Sequence, residues 1–337
     1  AVQLISLQDS PFLAEEAPSE FPGVSIQSLG AASDISKTPL TLARLFTILC
    51  RTRPDLVHTF FPTSNSLGVM VARLSGVKRI ISSRRDLGYN LTGKDIVLLK
   101  QANRLVSCVV ANCNAVRDRA MVMEGLSPQK FTVIPNGIDI GEYERFSAGC
   151  TERHPIIGIV ANLNRPVKRV DLFVRAAARV HKVRPDVRFW VIGDGHLRSG
   201  LERFALTQGL NSSMEFLGRR VDVRNLLKRL CIGVICSDSE GLSNAIMGYM
   251  AAGLPGMASK VGGNRELVEN GKCGFLTPPG DAEAISDTLL SFLSQNDYAR
   301  QLGLLGRKKL CADFSVDEMI DQTERIYKKV FYAEKQL

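Results

Sequence analysis

Aromatic residues are scarce in this sequence of 337 residues: they make up 7% of it and include a single tryptophan. The basic residues therefore lack the interleaved aromatic side chains on which nucleic-acid bases stack, so nucleic acid ranks last among the partners considered. Long apolar runs are also missing, since none approaches the roughly 18 to 20 residues of a transmembrane helix. Length and composition indicate a globular protein large enough for two domains.

Several signatures of metal and cofactor sites are absent as well. The eight cysteines form no Cys-x-x-Cys pair and no spacing typical of zinc ligands. We interpret them as reduced core thiols of a cytosolic protein, in preference to metal ligands or disulfides. No Gly-x-Gly-x-x-Gly fingerprint occurs, which argues against a nicotinamide-dependent oxidoreductase. No Asp-x-Asp pair follows a predicted strand, so the sequence indicates no metal site.

Basic residues are in excess, and the formal net charge is +9. The excess is concentrated in residues 73–100, where seven Lys or Arg stand against two Asp. A solvated basic surface is one interpretation of this excess. An anionic substrate or an anionic membrane surface is the other.

Apolar runs alternate with amphipathic helical patterns along most of the chain, which predicts an α/β protein with parallel sheets covered by helices on both faces. In the first half we predict strands at 2–7, 24–29, 56–59, 79–82, 108–111 and 132–134, and helices at 39–53, 64–75, 94–105 and 114–124. In the second half we predict strands at 156–160, 188–192, 214–217, 232–236 and 254–259, and helices at 170–184, 197–208, 223–228, 243–252, 282–294, 298–314 and 316–331.

This repetition predicts two Rossmann-like domains with doubly wound parallel sheets. We place the first domain at 1–140, the second at 141–315, and a C-terminal helix that packs back toward the first domain at 316–337. The Asn-Gly turn of IPNGID marks the boundary. Ala1 opens directly on a strand, and nothing fills the role of the central first strand and its Gly-rich turn. We therefore expect the first domain to lack its initial βα unit, which leaves an open slot in its sheet.

Glu240 is the first candidate for chemistry. It follows the predicted strand 232–236, at the carboxyl edge of the sheet, where ligands bind in such folds. Ser243 or Asn244 can cap the helix that follows, and the N–H groups there favour a diphosphate. A carboxylate beside that site suits sugar hydroxyls, so a sugar nucleotide fits better than a free nucleotide. The alternative interpretation of Glu240 is a loop carboxylate that binds no ligand.

Arg165 and Lys168 follow strand 156–160 and are suited to clamp a pyrophosphate leaving group, because they stabilise its developing charge. Exposed pairs of basic residues are common in proteins, so this pair alone is weak evidence for a phosphate site. Gly193 and Gly195, after the next strand, hint at a nucleotide site but lack the third glycine of a fingerprint. Val221 follows the strand 214–217, where backbone groups of a turn can meet a base edge.

The segments SEGLSNAIM, GLP, VGGNRELV and GFLTPPGD resemble the donor domain of the retaining glycosyltransferases of family 4 (glycosyl transferase group 1), which have the two-domain GT-B fold. The resemblance covers about residues 156–281 and the IPNGID linker. It implies that Arg165 and Lys168 contact the donor diphosphate and that Glu240 contacts the transferred sugar. The donor-binding residues that it implies are Gly193, Gly195, Val221, Gly241, Leu242, Ser243, Asn244 and the position of Gly248.

The first half matches less sharply, through PDLVHTFF, ISSRRD and VVANCNAVRD. Arg85 stands where many relatives carry a His near the reaction centre, so we include it with the catalytic candidates Glu240, Arg165 and Lys168. Arg84, Asp86 and His58 are the acceptor-side candidates. A core position is the alternative for His58.

By this resemblance the chain is an enzyme, a glycosyltransferase of the hexosyltransferase type that uses no metal and no cofactor. It implies transfer of a sugar, with retention, from a nucleotide-sugar donor to a hydroxyl of a glycan or lipid-linked acceptor, and UDP is the donor nucleotide by family frequency. Polysaccharide biosynthesis in the cytoplasm, with peripheral association at the inner membrane face, follows as an expectation.

Two positions depart from the family. Gly248 replaces the Glu that binds the donor ribose in relatives, and Gly256 stands where a Val is usual. Loss of the ribose contact removes roughly 1.5 to 3 kcal/mol of binding, so we predict weak donor affinity and impaired activity. The alternative function is a non-catalytic or decayed relative that binds a nucleotide, a glycan or a protein partner. Sugar-nucleotide epimerases of the same broad fold are a further alternative.

Overall fold

The computed structural model describes residues 2–8, 21–31, 39–143 and 155–332. The chain divides into two compact units. The first comprises Ala1–Ala111, Arg117–Val133 and Thr323–Leu337, and the second comprises Asn112–Val116 and Ile134–Gln322. The domain boundaries drawn from the sequence at 140 and 315 stay predictions. Within the described ranges, no helix has both the length and the apolar character needed to cross a bilayer.

The described strands of the first unit form two parallel sheets. The smaller pairs β1 (Gln3–Gln8) with β2 (Ser25–Ala31). The larger has the order β3 (Val57–Phe60), β4 (Ile80–Arg84), β5 (Cys108–Ala111), β6 (Phe131–Val133). The helices are α1 (Pro39–Thr52), α2 (Val69–Leu74), which continues a π-helical turn at Ser64–Gly68, α3 (Gly93–Ala102) and α4 (Asn114–Glu124).

These two sheets share one apolar core although no strand pairing joins them among the described residues. Ile5 of β1 packs on the same cluster as Val57 of β3, and α1 covers both through Leu45 and Leu49. Strands β4 and β5 are buried along their whole length, as the apolar runs of central parallel strands predict. The described strands of the first unit therefore form two sheets over one apolar core, and the expected loss of an initial βα unit stays a prediction.

The second unit is built on one parallel sheet of six strands in the order β12-β11-β10-β7-β8-β9. Its strands are β7 (Ile156–Val160), β8 (Arg188–Ile192), β9 (Met214–Gly218), β10 (Ile232–Ile235), β11 (Gly256–Ser259) and β12 (Phe275–Thr277). Its helices are α5 (Val170–Val183), α6 (Arg198–Thr207), α7 (Val223–Leu227), α8 (Asn244–Ala251), α9 (Asn264–Leu267), α10 (Ala282–Ser294) and α11 (Asn296–Asp313). Helix α12 (Val316–Tyr332) contributes residues to both units.

Helix α5 forms on the sheet because its apolar residues recur at helical spacing. Leu172, Phe173, Ala176, Ala177 and Val180 are all buried. The Phe173 ring meets Phe189 of β8 edge to face, with 6.2 Å between the centroids. Full burial of each such side chain contributes about 2 to 3 kcal/mol, so the sheet and its helix layer form a rigid support for the loops at the sheet edge.

The strand order places a topological switch point between β7 and β10. From β7 the chain proceeds through β8 and β9 on one side, and then crosses over to β10, β11 and β12 on the other. The loops that leave the carboxyl ends of β7 and β10 therefore diverge and open a crevice, which is the usual ligand site of a doubly wound sheet.

The structure corrects the sequence analysis at three points. The short elements β12 and α9 were not predicted, because three and four residues carry too little periodicity. The strand predicted from 254 begins at Gly256. Cys231 is disulfide-bonded, so the prediction of reduced thiols throughout is wrong there, because sequence spacing does not report spatial proximity. The described free thiols are Cys50, Cys108, Cys113, Cys236, Cys273 and Cys311.

Candidate functional site

Glu240 and Lys168 face each other across the switch point. The Nζ atom of Lys168 lies 2.6 Å from Oε1 of Glu240, and Ser237 donates its hydroxyl to the same oxygen at 2.6 Å. The Glu240 side chain is only 9% exposed. Its second oxygen, Oε2, has no hydrogen-bond partner in the described part of the chain. One oxygen therefore fixes the carboxylate while the other keeps its capacity to accept hydrogen bonds.

Two further contacts join the loops after β7 and β10. The backbone N–H of Asp238 donates to the carbonyl of Val167 at 2.9 Å. Arg169 donates to Asp238 at 2.9 Å and to Asp171 at 3.0 Å. These two carboxylates raise the pKa of Arg169 above its ordinary value, and the hydrogen bond to Asp171 has the larger effect. The guanidinium therefore stays charged.

Arg169 also has a left-handed backbone, with φ 48°. This conformation costs an L-residue about 1 to 2 kcal/mol. It ends the 3₁₀ turn Pro166–Lys168 and allows α5 to begin at Val170. The ion pairs of Arg169 offset the backbone cost and fix the turn that presents Lys168.

Arg165 begins this same turn, three residues before Lys168. Its backbone N–H donates to the carbonyl of Asn162 at 3.3 Å, and its side chain is half-buried. Both predicted cations thus lie on one loop at the carboxyl end of β7.

Gly193 and Gly195 allow the loop after β8 to approach the loop after β7. Their φ angles are 138° and 155°, and a Cβ at either would overlap backbone atoms of the neighbouring loop, Ala161 O for Gly193 and Asn164 N for Gly195. The side-chain oxygen of Asn164 then accepts the N–H of His196 at 2.8 Å. The Gly-Asp-Gly motif is thus explained by close packing of two loops at the sheet edge.

Residues 241–244 lead into α8 as the sequence predicts, but the capping prediction is wrong. Ser243 has an extended backbone and makes no side-chain cap bond. Asn244 instead uses its Oδ1 to accept the amide of Asn136 at 2.7 Å. The buried Leu242 anchors the segment, and a Cβ at Gly263 would overlap the carbonyl oxygen of Gly241. The first-turn N–H groups of α8 therefore receive no side-chain cap, and they keep the partial positive charge of a helix N-terminus.

Gly248 is buried one turn into α8. A Cβ built there would lie 3.6 Å from the Leu227 side chain and 3.7 Å from the hydroxyl of Tyr143, which are ordinary contact distances. A side chain can therefore start from this position without a clash. Val221 lies beyond β9 and is 91% exposed.

The predicted donor-site residues follow the carboxyl edge of the sheet in strand order. Glu240 comes after β10, Arg165 and Lys168 after β7, Gly193 and Gly195 after β8, and Val221 after β9. Since adjacent strands lie about 4.8 Å apart, four strands span about 14 Å. The edge therefore presents, in order, a carboxylate, a pair of cations and two further loops.

In the first unit, Arg85 and Asp86 line a small cavity of about 30 Å³ after β4. Phe61, Leu91 and Arg119 contribute to the same wall. Loss of hydration lowers the pKa of Arg85 below its ordinary value. Asp86 accepts the N–H of Gly88 at 2.8 Å, which closes the turn at the cavity mouth. This cavity combines apolar surface with the guanidinium groups of Arg84, Arg85 and Arg119 and the carboxyl groups of Asp86 and Glu124.

Arg84, next to Arg85, is held in a buried ion pair with Glu124. Its guanidinium is bidentate to Glu124 at 2.8 and 2.7 Å, and it also donates to Ser82 and to Asn103. All of these groups are buried. Removal of one partner from such a pair costs about 3 to 5 kcal/mol, so the geometry of Arg84 favours a role in folding over contact with an acceptor.

His58 bridges two elements of the first unit. Its Nε2 lies 2.8 Å from the hydroxyl of Ser83 on β4, and its Nδ1 lies 2.8 Å from the hydroxyl of Tyr327 on α12. The ring stacks on Phe60 with 4.3 Å between the centroids. Burial, with a smaller effect of Arg85, lowers the pKa of His58 from 6.5 to about 4. The neutral, partly buried ring therefore ties α12 to the sheet, and its role at an acceptor site stays a prediction.

Acidification is expected to weaken the first unit through His58. The unfolded chain binds this proton near pH 6.5 and the folded ring only near pH 4. The stabilisation is therefore complete above pH 6.5 and is lost as the pH falls toward 4, by about 2 to 3 kcal/mol. Urea unfolding at pH 7 and at pH 4.5 measures this loss, and His58→Gln should show a smaller one. An equal loss in both proteins would contradict the assignment.

The sequence analysis did not single out Ser237, Asp238, Arg169 or Tyr249. A hydroxyl three residues before Glu240 and a cation directly after Lys168 were the available signals for Ser237 and Arg169. Tyr249 gave no signal, because an aromatic residue inside an apolar helix is read as core.

Two family models together match most of the chain. A family model described as "Glycosyl transferases group 1" matches residues 154–295, and one described as "Glycosyltransferase Family 4" matches residues 1–142. The UDP-Gal:alpha-D-GlcNAc-diphosphoundecaprenol alpha-1,3-galactosyltransferase of Escherichia coli is 26% identical over 309 residues, which are 85% of this chain and 78% of that protein. The N-acetyl-alpha-D-glucosaminyl L-malate synthase of Bacillus anthracis is 24% identical over 297 residues, 83% of this chain and 76% of that protein.

A solved structure, that of HepE from Anabaena in complex with UDP-glucose, superposes with a TM-score of 0.86 at 20% identity and covers 97% of this chain and 91% of that chain. This likeness shows the GT-B fold, and the family models and the named relatives define the chain as a glycosyltransferase. Within that class, the chain belongs to glycosyltransferase family 4, the glycosyl transferases group 1. The predicted family and fold class are confirmed.

Proposed function

We propose that this glycosyltransferase transfers a sugar from a UDP-sugar to a hydroxyl of a glycan or lipid-linked acceptor, with retention at the anomeric carbon and without a metal ion. The observation that carries the proposal is the state of Glu240. One of its oxygens is held by Lys168 and Ser237, and the other has no partner among the described residues. A carboxylate fixed in this way beside a cation is suited to a sugar hydroxyl and an adjacent phosphate.

The order of groups along the sheet edge supports a donor in extended conformation. In this arrangement the sugar lies at Glu240, the diphosphate at Lys168 and Arg165 beside the N-terminus of α8, and the nucleoside toward β8 and β9. The distance of about 14 Å over four strands suits such a ligand, and the uncapped first turn of α8 favours its phosphate charge.

Lys168 and Arg165 also support the departure of the nucleoside diphosphate from the sugar. As the bond between the sugar and the diphosphate breaks, negative charge develops on the leaving oxygen. An ammonium and a guanidinium that are already in position stabilise this charge without reorganisation. They supply the function that a metal ion has in other sugar-nucleotide sites, which supports the metal-independent part of the proposal. Retention rests on the family resemblance.

We place the acceptor at the cavity of the first unit. Arg85 and Arg119 provide positive charge there, while Phe61 and Leu91 provide apolar surface. An acceptor that joins a sugar to a phosphate and a lipid matches both features. The name of the Escherichia coli relative describes an acceptor of this kind, a diphosphoundecaprenol. Polysaccharide biosynthesis is the process in which such acceptors are used.

Peripheral association with the cytoplasmic face of an anionic membrane belongs to the same proposal. Val97 and Leu98 on α3 are 58% and 37% exposed, and the exposed Lys94 and Lys100 lie on the same helix. Basic side chains around exposed apolar ones favour an anionic lipid surface. Co-sedimentation with anionic vesicles that does not weaken with added salt would contradict the electrostatic part.

Gly248 favours a second candidate function, a non-catalytic relative that binds a nucleotide, a glycan or a protein partner. The position offers no carboxylate to a ribose, and its neighbours are Leu227 and Tyr143. A donor site without this contact binds the nucleotide more weakly, as expected of a relative that does not turn over a donor.

Calorimetric titration with UDP, GDP, ADP and NAD separates these functions. We expect UDP to bind and to raise the melting temperature, because a ligand at 100 times its Kd stabilises by about 2.7 kcal/mol. NAD should not bind, since the dinucleotide fingerprint is absent. Release of UDP from a panel of UDP-sugars then identifies the sugar. No response to any nucleoside diphosphate would refute the transferase function and leave the non-catalytic candidate.

A further inference from the structure

The hydroxyl of Tyr249 lies between β7 and β10 at the switch point. Tyr249 belongs to α8, and its side chain is fully buried. Its oxygen accepts the backbone N–H of Val160 at 2.8 Å and donates to the carbonyl of Val234 at 3.3 Å. Burial raises the pKa of Tyr249, so the hydroxyl keeps its proton and can make both bonds.

These two backbone atoms lie where the two strands separate. The register of β7 and β10 pairs Gly158 with Gly233 and Ile159 with Val234, and it ends there. The N–H of Val160 therefore has no backbone carbonyl of β10 as its acceptor, and an unsatisfied buried N–H is costly. The phenol oxygen of Tyr249 accepts this hydrogen bond in place of a backbone carbonyl.

The chain beyond each of these atoms leads directly to the donor site. After Val160 it forms the loop that carries Arg165 and Lys168. After Val234 it reaches Ser237 and Glu240. A single hydroxyl is thus hydrogen-bonded to the strand ends from which both loops start. Farther along, the two loops are joined by the 2.6 Å contact between Lys168 and Glu240.

The sequence provides the space that the phenol ring requires. A Cβ at Gly233 would overlap the ring of Tyr249. Glycine weakens a strand interior, and its presence in the middle of β10 is explained by the ring that covers it. Gly233 and Tyr249 are therefore a matched pair, one residue providing the room for the other.

We infer that Tyr249 is a positioning residue for the donor site: its hydroxyl fixes the separation of the loops that bring Lys168 to Glu240, and Gly233 makes the position accessible to it. The inference rests on the proposed function for the identity of the ligand, but not for the geometry. A role in core packing alone would be fulfilled equally well by phenylalanine.

Tyr249→Phe separates the two roles because it removes only the hydroxyl. We expect the melting temperature to fall by about 5 °C, the Kd for UDP to rise about tenfold, and hydrogen exchange to accelerate in segments 161–169 and 236–240. Phe292→Leu is the matched control. Phe292 is a buried core residue of α10, and its truncation should lower the melting temperature without changing the Kd or the exchange in these two segments.

A second pair of variants tests the match between the ring and the glycine. Gly233→Ala should displace the ring and lower both the melting temperature and the affinity for UDP. Adding Tyr249→Leu should restore the melting temperature, because the smaller side chain makes room for the methyl group. It should not restore the affinity, because the hydroxyl is still missing. Recovery of the affinity in this double variant would overturn the inference.

Unchanged UDP affinity and unchanged exchange in Tyr249→Phe would also overturn it. Failure of the proposed function has a different outcome: the unmodified protein would then bind no UDP, while the exchange of the two segments would still respond to loss of the hydroxyl. The exchange measurement therefore decides the positioning role by itself.

Discussion

Replacing Lys168 by alanine is expected to lower kcat for release of the nucleotide from a bound sugar nucleotide by about 100- to 1,000-fold. The reason is that removal of one preorganised group that stabilises developing charge has an effect of this size. The change also leaves the Glu240 carboxylate, which is 9% exposed, without its cation. Steady-state release of UDP, measured with the sugar nucleotide identified by binding, tests this expectation.

Two controls separate charge stabilisation from damage to the fold. Lys182→Ala removes an exposed lysine from the last turn of α5, at the opposite end of that helix, and should leave kcat unchanged. The double variant Lys168→Ala, Glu240→Gln removes the stranded charge as well. If it regained activity, the loss in Lys168→Ala would come from an unpaired carboxylate. If Lys168→Ala kept more than a third of the activity, Lys168 would not belong to the site.

Introducing a carboxylate at Gly248 is expected to strengthen UDP binding. The structure leaves room for a Cβ atom there, since the nearest atoms to it would be 3.6 and 3.7 Å away. Hydrogen bonds from ribose hydroxyls to a carboxylate contribute about 1.5 to 3 kcal/mol, which corresponds to roughly 10- to 100-fold in Kd. Calorimetric titration of Gly248→Glu with UDP measures the gain.

Gly248→Gln and Gly248→Ala are the matched controls for this change. Glutamine has the shape of glutamate without its charge and should gain only part of the affinity. Alanine should add about 0.8 to 1 kcal/mol of helix stability and leave the Kd as it is. If glutamate bound UDP no more tightly than alanine, the explanation of Gly248 as a lost ribose contact would be refuted, and the weak-donor prediction would lose its basis.

Most of the architecture could be predicted because buried parallel strands have a simple sequence pattern. Strands β5, β7 and β8 have the predicted bounds. Short continuous apolar runs such as IIGIV are typical of parallel strands that are buried on both faces. Helix α10 also has its predicted bounds, which begin after the capping side chain of Asp281. Three-residue strands such as β12 give no comparable signal.

The site could be predicted only in part. The sequence places Lys168 and Glu240 after different strands, but it does not contain the strand order that brings them to 2.6 Å. Adjacent residues of a strand point to opposite sides, so ISSRRD does not tell which arginine is buried in an ion pair, as Arg84 is with Glu124, and which is exposed, as Arg85 is. The hydrogen bonds of His58 likewise depend on Tyr327, 269 residues away.

The fixed carboxylate of Glu240 has a consequence for the choice of sugar under the proposed function. Two hydrogen bonds to Oε1 fix the plane of the carboxylate, so the lone pairs of Oε2 point in fixed directions and accept a hydroxyl only along them. Such an acceptor distinguishes epimers, which have the same size and composition but direct one hydroxyl axially or equatorially. A site that hydrogen-bonds a hydroxyl rejects analogues without it by about 10⁴-fold. The Ser237 hydroxyl, by holding Glu240 still, thereby contributes to stereochemical selectivity without touching the sugar.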